Sequence, residues 1–243
     1  MGKTTFGSNM GLLHLGILLV LLNLSVIFFF DIEISRAVRL FSSVAILLFV
    51  LFKNGFKKSL LFLGLLLLVA KDVSILFYES PLFKTISLLC TVSLYTVITL
   101  FVFRRLPVLR FSLTLVLFGL GIIVLNIFNV FYLSDIIIPS LDNDTQLILF
   151  FTQSAVMLFM ALFGFLYNEA YEGKQSLNLL LCILAFIFSD LGGLAAYFLG
   201  YDPAYYAERA FYIIAVSYLA YYVVNFNQAA DRVSELQDNQ LSA

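Results

Sequence analysis

Charge is scarce in this chain. Only 12% of its 243 residues are Asp, Glu, Lys or Arg, where a soluble domain carries about 25%. With 62% hydrophobic residues and a mean hydropathy of +1.03, an ordinary soluble fold is excluded. The signs nearly cancel to a net charge of −1, so no electrostatic case exists for a nucleic-acid partner. Histidine occurs once, as His14, and cysteine twice, as Cys90 and Cys182 inside apolar runs. Without a His pair or a C-x-x-C spacing, zinc or copper has no ligand set, and no metal or other cofactor is expected. The cysteines read as reduced packing residues. Targeting signatures are missing too. The first apolar run ends in aromatics at Phe30 instead of a small-residue cleavage site, and Phe6 stands where myristoylation wants Ser or Thr.

What the chain does have is long apolar runs. Eight are read as spans, at 11–30, 37–52, 59–78, 83–103, 111–133, 147–167, 176–199 and 209–226, the second being short. Between them lie DIEISR, KNGFKK, ESPLFK, RRLPVLR, SLDNDTQ, NEAYEGK and YDPAYYAER, each with charge, Gly, Pro or Asn. The runs lack barrel alternation, and only helices then satisfy their own backbone in hydrocarbon. The expected fold is an all-α, polytopic, eight-helix transmembrane bundle over 1–226. A short polar tail, 227–243, at most prolongs the last helix.

Positive charge sets the expected orientation. With the amino terminus inside, the inner segments hold Lys3, Lys53, Lys57, Lys58, Arg104, Arg105, Arg110, Lys174 and Arg232. The outer loops hold only Arg36, Arg39, Lys84 and Arg209. Both termini are therefore expected in the cytoplasm of a multi-pass protein of the cell (inner) membrane. Tyr197, Tyr201, Tyr205 and Tyr206 form an interfacial belt on the outer side.

Two carboxylates interrupt spanning runs: Asp72, beside Lys71 in LVAKDVSIL, and Asp190 in LAFIFSDLGG. At 1.5 Å per residue both lie roughly 10–15 Å below the outer boundary. A charge there costs roughly 2.5–3.5 kcal/mol on insertion scales, so each is a candidate functional group. Polar neighbours at compatible depth are Asn23, Tyr95, Asn126, Asn129, Gln153, Ser154, Ser189, Tyr218, Tyr221 and Asn225. One water-containing cavity toward the outer leaflet is the economical reading. Adjacent residues on a helix diverge by about 100°, so Lys71 and Asp72 point to different places. Lys71 paired with Asp190 or Asp72 as structural glue remains an equal reading. The asparagines read first as interhelical hydrogen-bonding groups, and the helix-8 tyrosines as packing. Each half of the chain carries its aspartate in its third span, which points to two four-helix halves in parallel repeat.

Two stretches carry a family resemblance. GLLLLVAKDVSILFYESPLFKTISLLCTVSLYTV, and LAFIFSDLGGLAAYF followed by FYIIAVSYLAYYVV, resemble the YhhN family of eight-span membrane proteins, whose studied members are lysoplasmalogenases. The resemblance places Asp72 on the family's first aspartate and Tyr95 near its tyrosine. Ser189 and Asp190 match its Ser-Asp pair, and Tyr218, Tyr221 and Tyr222 fall in its closing tyrosine-rich helix. Lys71 stands where the family has Gly, and Val92 and Ser93 occupy the neighbourhood of its His.

The resemblance implies hydrolysis of the vinyl ether of a lysoplasmalogen or related lysolipid by paired intramembrane aspartates. Such a reaction demands a proton at the vinyl carbon, and a pair of carboxylates suits it, one protonated as the acid and the other ionised to stabilise the cation and direct water. With Lys71 keeping Asp72 ionised, Asp190 is the candidate acid. Asp72 and Asp190 are thus the catalytic candidates. Lys71, Tyr95, Asn126, Asn129, Gln153, Ser189, Tyr218 and Tyr221 are the substrate-binding ones, with membrane lipid and a lysolipid substrate as partners. The two departures favour an alternative: a non-catalytic lipid- or solute-binding membrane protein, a sensor or an accessory subunit. A small transporter is a third reading, whose only candidate helix break is Gly192-Gly193.

Overall fold

A computed structural model describes residues 4–53, 60–106, 119–121, 123–124, 127, 131–132, 134–171 and 173–241, with side chains described between Met10 and Asn225. Every regular element among them is helical. In chain order they are α1 (Thr4–Phe29), α2 (Ile32–Phe52), α3 (Leu60–Leu76), α4 (Pro81–Phe103), a 3-10 turn (Ile138–Ser140), α5 (Asp144–Tyr171), α6 (Lys174–Tyr197) and α7 (Ala204–Leu241). The expected span 111–133 lies largely outside the described residues. Its described positions are helical.

Among the described residues, five helices are long and apolar enough to cross a membrane: α1 from Met10, α2, α4, α5 and α6. That is compatible with a multi-pass membrane protein. Their outer faces are oily. Phe28, Phe29, Phe52 and Phe131 are each at least 70% exposed, the reverse of a soluble surface. Inside, α7 packs on α1, α2 and α3 as well as on α6, so the last helix joins the first three around a core that includes Leu65, Leu68, Ile98, Ile183, Leu219 and Val223.

Helix boundaries follow local chemistry. Pro81 opens α4, where its missing N–H costs nothing. Gly200, at φ +65°, turns the chain between α6 and α7. Gly192 brings those two helices together: a Cβ there would lie 2.8 Å from the backbone nitrogen of Glu208.

Two boundaries correct the sequence reading. DIEISR is not a loop, because α2 starts at Ile32 with Asp31 in the extended N-cap conformation. YDPAYYAER is only partly one, because α7 starts at Ala204. Arg36, Arg39, Glu208 and Arg209 are therefore helical and buried, not charges of outer loops.

Candidate functional site

The second helix explains how so much charge comes inside. Its buried residues Ser35, Arg36, Arg39, Ser42, Ser43, Ile46 and Val50 recur at intervals of three and four. They form one stripe that is polar at its start and apolar at its end. On a bundle whose exterior is apolar, that polar stripe turns inward. Arg36 and Arg39 then sit about 6–10 Å along α2 from its first residue. Asp72, Asp190 and Glu208 lie at comparable distances from the ends of α3 and α6 and the start of α7. All of them cluster at one end of the bundle.

There the charges separate into two groups. In the first, Arg39 links three helices. Its Nε donates to Asp72 Oδ1 at 2.9 Å, and its Nη1 donates to Glu208 Oε1. Tyr212 donates its hydroxyl to Asp72 Oδ2, and its ring lies 3.9 Å beneath the Arg39 guanidinium. Arg209 donates Nε to the other oxygen of Glu208 at 3.2 Å and Nη1 to the Ser35 carbonyl at 2.9 Å. Two arginines thus face two carboxylates. The four residues are 1–4% exposed, so removing one partner would strand a charge with almost no water to receive it.

The second group borders a cavity of about 680 Å³, whose wall also includes Arg39 and Glu208 of the first. Asp190 enters it from α6. Its Oδ2 accepts a hydrogen bond from the Tyr95 hydroxyl (2.7 Å) and another from Gln153 Nε2 (2.9 Å). Its Oδ1 accepts no hydrogen bond among the described residues. Lys71 also borders the cavity. Among the described residues its ammonium makes no hydrogen bond and no ion pair within 4.0 Å.

At the rim, Arg36 Nη1 donates to Glu79, and that bond holds the Glu79 carboxyl below the usual glutamate range. Arg36 Nε is buried with no partner among the described residues. Lys84 pairs with Asp142 at 3.0 Å and lowers its carboxyl likewise.

The residues expected from sequence are distributed unevenly. Asp190, Lys71, Gln153 and Ser189 border the cavity, and buried Tyr95 reaches Asp190 through its hydroxyl. Asp72 does not border it. Lys71 and Asp72 diverge, the first toward the cavity and the second toward Arg39 and Tyr212. The two aspartates share no hydrogen-bond partner. Tyr218 and Tyr221 are half-buried against the apolar core and do not border the cavity. Asn126 and Asn129 lie outside the described residues. Asn23 donates to Ser42 of α2 and to the Leu19 carbonyl.

Sequence reading missed the pairing roles of Arg39, Glu208, Arg209 and Tyr212. The available signal was spacing: Arg36, Arg39, Ser42 and Ser43 lie on one helical face. Among the described residues, no group of three or more His, Cys, Asp or Glu could hold a metal ion.

Chemically, Asp190 Oδ1 can give or take a proton, and the Lys71 ammonium can receive an anion. Compared with protein-family models, with characterised proteins and with solved structures, the chain matches none.

Proposed function

We propose that the protein is an integral membrane hydrolase of the lysoplasmalogenase type, which cleaves the vinyl ether of a lysolipid. One observation carries the reading: Asp190 stands at a cavity with Oδ2 held by Tyr95 and Gln153 and Oδ1 left open. In this reading Oδ1 delivers its proton to the vinyl carbon remote from the ether oxygen, giving an oxocarbenium ion. The resulting Asp190 carboxylate then takes a proton from water as that water adds to the cation. The hemiacetal so formed breaks into a fatty aldehyde and the glycerol-bearing head group. The proton lent is recovered, so one carboxyl suffices as acid and base. Asp72 acts from behind, fixing Arg39 and the helix that carries Lys71. The apolar lining by Ile75, Leu88, Phe150 and Met157 receives the chain. In this reading both termini lie in the cytoplasm and the cavity beneath the outer face.

The test is aldehyde release by protein purified in detergent, from a lysoplasmalogen and from an ester lysophospholipid control. Aldehyde is expected from the first alone, and Asp190→Asn should lower the rate by about 10²–10⁴-fold. A folded wild-type protein that releases none, or a fully active Asp190→Asn, sinks the proposal.

A second reading, a non-catalytic lipid-binding protein, is favoured by one feature. Asp72 is committed to Arg39 and Tyr212 and offers no second carboxylate at the cavity. It predicts lipid binding without aldehyde.

A further inference from the structure

Most cations at this end of the bundle already have an anion. Arg39 and Arg209 face Asp72 and Glu208, and Lys84 faces Asp142. Arg36 uses Nη1 on Glu79, whose side chain is 73% exposed. Two donor groups remain: the Lys71 ammonium, which borders the cavity without a bond among the described residues, and Arg36 Nε, buried in a side chain only 8% exposed. Arg36 borders the same cavity, and its helix packs on the helix of Lys71. When Asp190 carries the proton that the hydrolytic reading requires, the other acid lining the cavity, Glu208, is already shared by Arg39 and Arg209, so Lys71 has no carboxylate of its own. An uncompensated cation in an oily surrounding calls for a counter-ion.

We infer that Lys71 and Arg36 Nε form an anion-binding subsite of this cavity, and that it takes the phosphate of a singly charged amphiphile. The volume of about 680 Å³ falls within the ~300–1,000 Å³ usual for ligand sites. Its lining supplies both halves of such a molecule. Lys71 and Arg36 meet the phosphate, while Leu88, Phe150, Met157 and Leu194 meet the chain. Lysine suits this task as a compact cation with three rotatable donors. Phosphate is preferred to a neutral head group because a charge-assisted bond is about twice as strong as a neutral one. The inference rests on the hydrolytic reading only for the protonation of Asp190, so ligands without a vinyl ether separate the two.

The experiment is equilibrium binding, or native mass spectrometry, of the full chain in detergent. The probes are ester-linked lysophosphatidylglycerol, a monoacylglycerol of the same chain length, and inorganic phosphate. The wild type should bind the phospholipid about tenfold or more tightly than the neutral lipid. Lys71→Met should erase that preference, and Lys71→Arg should keep it. Competition by inorganic phosphate would assign the subsite to free phosphate groups, and its absence to a lipid head group. Equal wild-type affinity for both lipids overturns the inference, whatever the variants do. So does a preference that survives in a Lys71→Met protein that unfolds at the wild-type temperature, which would mean that Lys71 serves only Asp190. A preference without vinyl-ether hydrolysis removes the hydrolase and leaves the subsite. Hydrolysis without a preference does the opposite.

Discussion

Two clusters of buried polar groups lie at the same end of this bundle and handle charge in opposite ways. Around Arg39, both carboxylates have an arginine, and their remaining acceptor capacity is met by Tyr212 and Arg209. Around Asp190, half of the carboxyl is held and half is open, while the nearby ammonium of Lys71 lacks a bond among the described residues. The first arrangement is closed: Arg39 and Glu208 also line the cavity, but their charges are matched by each other, Asp72 and Arg209. The second carries unused donors and acceptors into a cavity, which is what a site for chemistry or binding requires. Buried charge by itself therefore does not mark function here. Unsatisfied charge beside space is the better candidate.

Breaking the closed cluster should have the largest effect. Arg39→Met leaves Asp72 and Glu208 buried without their shared cation, and a loss of about 3–5 kcal/mol is expected in chemical denaturation in detergent. Lys71→Met should cost far less. Equal losses for the two would dissolve the distinction between the clusters.

Next comes the contact that seats Glu208 against α6. Gly192→Ala forces a methyl against the backbone of α7, costing about 1–3 kcal/mol and lowering the thermal midpoint. Gly164→Ala meets only the tip of Ile183, which can rotate away, so a smaller shift is expected.

Tyr95→Phe removes one of the two bonds to Asp190. It should cost about 1 kcal/mol of stability, and it should impair aldehyde release more than it impairs lipid binding.

The smallest effect belongs to Glu79. Its carboxyl is lowered in the folded chain by Arg36, so that contribution to stability is present above about pH 4.3, the ordinary glutamate value. It is lost as pH falls through the lower folded value. Because Glu79 is largely exposed, solvent screening keeps the effect slight. Glu79→Gln should flatten that part of the pH profile, and the two proteins should converge in acid.

The apolar runs announced helices well, and Asp72, Lys71 and Asp190 were visible because each interrupts one. What stayed hidden was charge near helix ends. DIEISR and YDPAYYAER carry the residue types of loops, and hydropathy counts Arg36, Arg39, Glu208 and Arg209 against a span. Spacing supplies the missing information, since Arg36, Arg39 and Ser43 share a face with Ile46 and Val50. No sequence feature tells which cation meets which carboxylate. Asp72 lies next to Lys71 in the chain yet bonds Arg39, because one helical step of about 100° separates neighbours while packing joins α2 to α3. Asp190 found Tyr95 and Gln153 across α4 and α5, pairings 95 and 37 residues apart.

The reach of Arg39 also bears on how the chain is made. Asp72 follows it after 33 residues, but Glu208 follows only after 169. At ribosomal speeds of about 5–20 residues per second, the second carboxylate arrives on the order of 10–30 s after the arginine. During that interval Arg39 of the nascent protein has Asp72 but lacks its second carboxylate bond. Emergence of α7 supplies Glu208, Arg209 and Tyr212 together and completes the bonds of Arg39 and Asp72, which makes the final helix a checkpoint for maturation: truncation before Glu208 should leave a product that quality-control proteases recognise.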